Sequence, residues 1–134
     1  MKNNGGMTLI EVLVAMVIVF IIFLGMSSGG LVVLDQNIKN FQRDEAVSVA
    51  EMEMEQVRNT AFLSIGDDTH PVSRKIRGLN VVYTVTRTVT NPDGSTPPSD
   101  QKNRRVTINV TWNRIENNQT KSYNHRVLTL VRSR

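Results

Sequence analysis

Between Met7 and Leu34 the sequence carries one charged residue, Glu11, and it stands directly before an unbroken apolar run, Val12 to Leu24. An ionisable group deep in an apolar segment costs roughly 3 kcal/mol even on lenient membrane-insertion scales, so a reason for keeping it is needed. Two are available. The carboxylate can meet a cation from another chain, or it can sit near a helix start, where the macrodipole favours negative charge. Elsewhere the chemistry is sparse. His70 and His125 are the only histidines and neither has metal-ligand spacing, no nucleophile elbow or glycine-rich phosphate loop is present, and Ser, His and Asp are scattered. Asp67 with Asp68, and Asp93 beside Gly94, supply too few oxygens for a calcium loop and fit turn chemistry. Asn109-Val110-Thr111 and Asn118-Gln119-Thr120 match the glycosylation sequon by chance. With no cysteine, thiolate metal sites, cysteine nucleophiles and disulfides are excluded. These residues predict no catalytic site, no metal and no cofactor.

The net charge of +4 comes mainly from the C-terminal half, where Arg74, Lys75, Arg77, Arg87, Arg104, Arg105, Arg114, Lys121, Arg126, Arg132 and Arg134 are spread. A basic surface attracts nucleic acid or anionic lipid only where its charges converge on one face. Arg87 and Arg114 fall in register with apolar positions, whereas Arg126 and Arg132 share a parity with Leu128 and Leu130. That pattern suits solvated rim positions better than a continuous stripe. Trp112 shares its parity with Val106 to Val110, which places it in a core rather than under a stacked base.

The elements that must carry these residues divide the chain in two. Residues 7–34 as a helix would reach roughly 42 Å, more than the roughly 30 Å hydrocarbon core of a bilayer, and they lack period-two alternation. A cleavable secretory signal is the competing reading, since Lys2 is basic and Gly25 and Ser27 are small. The run is too long for that reading, and Glu11 has no use in it. After Leu34 the period becomes helical and amphipathic: Leu34, Ile38, Phe41, Ala46, Ala50, Met54, Val57 and Ala61 form one stripe, with Gln42, Arg43, Asp44, Glu51, Glu55 and Arg58 left to water. One helix from about Thr8 to about Phe62 is predicted, softened or bent near Gly25, Gly29 and Gly30, each costing about 1 kcal/mol against alanine. Met52 and Met54 read as packing beside Val49 and Val57.

Residues 64–73 read as a loop, punctuated by Gly66, Asp67, Asp68 and Pro71. Three alternating strands follow, over Leu79 to Thr90, Arg105 to Asn113 and Ser122 to Val131, joined at Pro92-Asp93-Gly94-Ser95 and Asn117-Asn118-Gln119. The predicted fold is α+β: a long N-terminal helix, transmembrane and then amphipathic, packed on an antiparallel meander of about three strands. A head of this size is marginal on its own burial, so it must pack on the helix or on neighbouring subunits.

The run Gly5-Gly6-Met7-Thr8-Leu9-Ile10-Glu11-Val12 resembles the type IV pilin family. In that family a short basic leader ends in glycine, a prepilin peptidase cuts after it, the new N-terminal residue is N-methylated, and a glutamate stands at the fifth mature position. The resemblance implies a leader over residues 1–6, cleavage between Gly6 and Met7, methylation of Met7, and pairing of Glu11 with the α-amino cation of an adjacent subunit. Met7 stands where major pilins usually carry phenylalanine, a change that minor pilins and pseudopilins tolerate. Ala46, Ala50, Met54, Glu55 and Arg58 resemble the second half of the helix in V-type minor pilins, and the strand ending in Trp112 resembles the heads of V-type minor pilins and of the I-type pseudopilin of type II secretion.

The implied organisation is leader 1–6, transmembrane and filament-core helix 7–34, amphipathic continuation 35–63 and β-rich head 64–134. The implied role is a structural subunit, not an enzyme: a minor pilin in pilus assembly or priming, with a type II secretion pseudopilin as the alternative and a pilus-associated DNA-uptake subunit as a second. The implied partners are other pilins, the prepilin peptidase and inner-membrane lipid, with nucleic acid ranked behind them. The implied location is the bacterial inner membrane, single-pass with the head in the periplasm, and then the pilus at the cell surface.

Overall fold

The computed structural model describes residues 8–96 and 102–133. The expected leader over residues 1–6, the expected cleavage bond between Gly6 and Met7, and Met7 itself lie outside the described residues. Helix α1 (Leu9–Asn59) is followed by a 3-10 turn (Phe62–Ser64) and strands β1 (Asp68–Ile76), β2 (Leu79–Thr90), β3 (Asn103–Glu116) and β4 (Gln119–Arg132). The chain divides into two compact units after Lys39. Of the first, the residues from Leu9 onward are helix, with the large apolar side chains from Leu9 to Leu34 exposed. Helical structure runs unbroken through Gly25, Gly29 and Gly30, and Ser28 Oγ donates back to the Leu24 carbonyl at 3.1 Å. Of the described helices, α1 is the one long and apolar enough to cross a membrane.

In the second unit the remainder of α1 packs on an antiparallel sheet of order β1-β2-β3-β4. The sheet has four strands where three were expected. The segment read as a loop begins the additional strand, because β1 is an edge: Pro71 lacks an N–H and is tolerated only where a ladder bond is not required. Two tight hairpins set the register. Arg77 and Gly78 (φ +47° and +89°) and Asn117 and Asn118 (φ +50° and +62°) both have the two positive-φ residues of a type I′ turn, whose twist matches that of the flanking strands. Asp93 Oδ1 accepts from Ser95 N at 3.0 Å and from its hydroxyl at 2.8 Å, the turn chemistry expected between β2 and β3.

The buried face of α1 consists of Gln42, Ala46, Val49, Ala50, Glu53, Met54 and Val57. It meets Val81, Tyr83, Val85 and Val89 of β2 and Val106, Ile108, Val110 and Trp112 of β3. Alternation along each strand puts these side chains on one face, and the two alanines let helix and sheet approach closely. Three expectations are corrected here. Gln42, assigned to water, is buried; Phe41 and Met52, assigned to packing, are exposed. The helix also stops at Asn59, so Ala61 is not on its stripe. Tyr83, Trp112 and Tyr123 stand directly opposite one another on β2, β3 and β4, with ring centroids 5.8 Å apart at each step.

The Tyr83 hydroxyl is buried and donates to the Gln42 carbonyl at 2.9 Å. Burial, reinforced by the negative charge of Glu45, pushes its pKa up to about 12. The fold requires the neutral phenol, so this contribution is complete below the ordinary tyrosine value of about 10 and is lost as pH rises from there towards 12. Alkaline titration of the full chain in detergent should show Tyr83 ionising only together with the fluorescence change of Trp112 on unfolding. Tyr83→Phe should cost about 1 kcal/mol by chemical denaturation.

Candidate functional site

Glu11 lies in the first turn of α1, on the exposed apolar unit. Its Oε2 accepts from the backbone N of Thr8 at 2.9 Å and from the Thr8 hydroxyl at 3.1 Å, and the same hydroxyl accepts from Glu11 N at 3.4 Å. This reciprocal arrangement is a capping box, which satisfies helix N–H groups that have no intrahelical partner. Thr8 was missed as a functional residue, and a signal was present: Thr-x-x-Glu immediately before an apolar run. The cap occupies one carboxylate oxygen. Oε1 accepts no hydrogen bond from any described residue and remains available to a cation from outside the chain. C-terminal to Glu11, Val12, Ala15, Met16, Val19, Phe20 and Phe23 line an apolar strip along the helix.

The second site is inside the head and brings together residues that no sequence spacing connects. Glu53, on the buried face of α1, is only 1% exposed, and its Oε1 accepts from Arg87 Nη1 of β2 at 2.7 Å. Arg87 Nε donates to the Gly66 carbonyl at 2.8 Å, and Nη2 lies 3.9 Å from Asp68 Oδ2. His70 Nδ1 donates to that same Asp68 oxygen at 2.9 Å, while its Nε2 faces Glu53 Oε2 at 3.6 Å. Glu53, Asp68 and His70 each offer a metal-ligand atom within 4.8 Å of the other two. The two nitrogens of His70, however, address different carboxylates, and a guanidinium already holds Glu53. The arrangement is that of a charge clasp joining α1 to β1 and β2. The hydrogen bond from His70, followed by the charges of His70 and Arg87, holds the Asp68 carboxyl below its ordinary pKa.

The arginines of the head are mostly committed. Arg104 Nη1 donates to the carbonyls of Phe62 (3.0 Å) and Ile65 (3.1 Å), and its guanidinium covers the Phe62 ring at 4.6 Å. Arg74 pairs with Glu45 at 3.1 Å, Arg77 stacks on Phe41 at 4.3 Å, Arg105 donates to the Pro92 carbonyl and Arg114 lies 3.8 Å from Glu116. Arg126 and Arg132 stand exposed on the outer row of β4 with Leu128 and Leu130, the parity read from the sequence.

Residues 1–27 match the family described as prokaryotic N-terminal methylation motif. No curated protein and no solved structure matches the chain. The matched segment takes in Glu11 and the whole apolar run from Val12 to Leu24, and it is a prepilin-type motif of the kind that marks type IV pilin-like N-termini.

Removing one partner of the clasp leaves a buried charge, so Glu53→Ala should destabilise the head by about 3–5 kcal/mol, whereas Glu53→Leu combined with Arg87→Met should cost much less. A double-mutant cycle on thermal melts, read through Trp112, checks this. Because the Asp68 carboxyl is lowered in the fold, its contribution is present above the ordinary carboxylate value of about 4 and is lost as pH falls below it. Asp68→Asn should therefore flatten the acid limb of the stability curve and leave the neutral region nearly parallel to wild type.

Proposed function

We propose that the chain is a minor pilin of a type IV pilus. In this reading a prepilin peptidase removes residues 1–6, Met7 becomes the N-methylated terminus, and the helix over residues 7–34 is held in the bacterial inner membrane with the head in the periplasm. It then enters a filament core built from such helices, in a priming complex or at the tip. The carrying observation is the methylation motif at residues 1–27 together with an apolar helix whose single carboxylate keeps one oxygen open. Cleavage after Gly6 would create an α-amino cation four residues from Glu11. In a low-dielectric bundle the amine of one subunit and the Glu11 of the next neutralise each other, which fixes axial register, because a misaligned subunit leaves both charges unpaired. The motif equally supports a type II secretion pseudopilin using the same assembly physics. Two uncommitted arginines on β4 are too few to track a phosphate backbone, which keeps DNA uptake behind both.

Mass spectrometry of the protein from cells with active prepilin peptidase should find mature chains that begin at methylated Met7. Retention of residues 1–6 would sink the processing reading. Glu11→Gln keeps an acceptor for the Thr8 cap but removes the charge, and it should lower incorporation into filaments on the order of 100-fold while membrane insertion persists. Thr8→Val, which weakens the cap alone, should incorporate nearly normally; the reverse order would assign Glu11 to capping only.

A further inference from the structure

The described sheet leaves main-chain edges open between its arms and along β1 and β4, and the surroundings differ. Pairing between β2 and β3 stops at Tyr83–Trp112, so Leu79 to Val82 and Asn113 to Glu116 form separate arms around a cleft floored by Gln42 of α1, whose enclosed Oε1 meets no donor among the described residues. The charges beside that cleft, Arg114, Glu116 and Lys121, are committed to one another. At the β1 edge the bonded pair Ile76–Leu79 sets the phase of the ladder, and Pro71 falls among the residues that face outward, with no N–H to give. The β4 edge has neither feature. Ser133 N donates to the Lys102 carbonyl opposite it at 2.8 Å, and the pairing then runs without a break to Glu116–Gln119 at the hairpin. Ladder bonds in an antiparallel pair fall on every second residue, so the odd-numbered residues of β4 bond to β3 and the even-numbered ones, Thr120 to Arg132, turn both N–H and C=O to the open side. No hydrogen bond from the described residues reaches their main chain.

We infer that the β4 edge is a docking site for an extended segment of another protein, one that carries carboxylates on either side of an apolar pair at alternate positions. The side chains of the outward-facing residues decide that chemistry. Arg126, Leu128, Leu130 and Arg132 stand in one exposed row; the leucines are 55% and 63% exposed, and neither arginine has a partner among the described residues. Apolar side chains on an added strand cover the leucines, and carboxylates at its next alternate positions meet the two guanidiniums. Charged residues on an edge also keep like strands apart. Two copies of β4 paired antiparallel over their leucines would set Arg126 against Arg132, and no strand of this chain supplies the complementary pattern: β2 and β4 contain no carboxylate, and β1 and β3 have one each, at an end. The same arginines thus reject a second copy and select an acidic partner. The inner side of the edge is shaped as well. A groove of about 640 Å³ lies between β4 and the end of α1, lined by Thr129 and Val131 of the inner row, by Leu130 and Arg132 of the outer row, and by Asn59 and Phe62, so it curves round the edge. Arg104 holds Phe62 by its carbonyl and its ring, and an inner-row side chain of the entering strand falls into the groove beside it. Neither the filament role nor Glu11 enters this inference.

The test uses the full chain in non-ionic detergent micelles, with the peptide acetyl-Glu-Thr-Val-Thr-Val-Thr-Glu-amide as the probe and its Gln-for-Glu and Lys-for-Glu forms as controls. Binding is read by anisotropy of a labelled peptide and by hydrogen exchange at individual amides. The acidic peptide should protect the amides of residues 126, 128, 130 and 132 and leave those of 127, 129 and 131, already bonded to β3, unchanged. The glutamine form should bind about fivefold more weakly, as the loss of two exposed ion pairs implies, and the lysine form more weakly still. Arg126→Glu combined with Arg132→Glu should reverse the order, so that the lysine form binds best. Leu128→Pro, which removes one outward N–H as Pro71 does on β1, should abolish the protection while Trp112 emission stays that of the unmodified chain. The three peptides on the unmodified chain need no variant to fold. Equal affinity for all three, protection along β1 or between the arms, or no response at millimolar peptide would each overturn the inference. So would protection of the same amides that rises with protein concentration in the absence of peptide, which would make a second copy the occupant, or their protection by anionic phospholipid vesicles in preference to the peptide.

Discussion

Side chains from Leu9 to Leu34 are exposed through turn after turn of α1, and each large one left in water forfeits about 1.5–3 kcal/mol relative to burial. A helix apolar on all sides is stable only in lipid or among other helices, because isolated surfaces of this extent otherwise aggregate. That constraint governs the rest of the molecule. It explains why the segment has one ionisable residue, why that residue lies in the first turn where cap and macrodipole both support a carboxylate, and why the cap leaves one oxygen uncommitted.

The same constraint leaves the second unit to find its own stability without cysteine and with a small core. It does so by placing charge inside as well as hydrocarbon. Glu53 sits in the middle of the apolar face of α1, bracketed by Val49, Ala50, Met54 and Val57, and is held by Arg87 at a strand position flanked by Val85 and Val89. Replacing such a pair by hydrocarbon often costs little, so its value is better sought in specificity. A helix sliding by one turn would lose the clasp at Glu53 while burying much the same apolar area, and the Arg104 contacts to the Phe62 and Ile65 carbonyls fix the exit from the helix in a similar way.

Much of this was legible in the sequence, and the exceptions share a cause. Strands β2, β3 and β4 announced themselves because each has one buried row and a period of two; β1 did not, since an edge strand with Pro71 and only two apolar residues carries turn signals as strong as its strand signal. The α1 stripe was recovered at Ala46, Ala50, Met54 and Val57. Gln42 and Glu53 were missed because burial of polar residues depends on partners, or on a cleft, contributed by strands distant in the chain. Leu79 was readable as a strand residue and Ile115 was not, since the alternation in β3 carries only to Asn113, and nothing local tells that the arms diverge after Tyr83 and Trp112.

The divergence has a physical origin in the packing of α1. Ala46, Val49 and Ala50 let β2 and β3 lie flat against the helix as far as Tyr83 and Trp112, where the facing residue becomes Gln42, bulkier than alanine and polar. Tyr83 bonds its hydroxyl to the Gln42 carbonyl and so anchors the sheet to the helix at this level. Beyond the anchor each hairpin follows its own type I′ turn and its own right-handed twist, larger in a two-stranded ribbon than in a wider sheet, and the Arg77–Phe41 contact ties the β1–β2 arm to the helix. The cleft is therefore a consequence of where the small residues of α1 end, and a single polar residue at that boundary defines both its floor and its unmet hydrogen-bonding capacity.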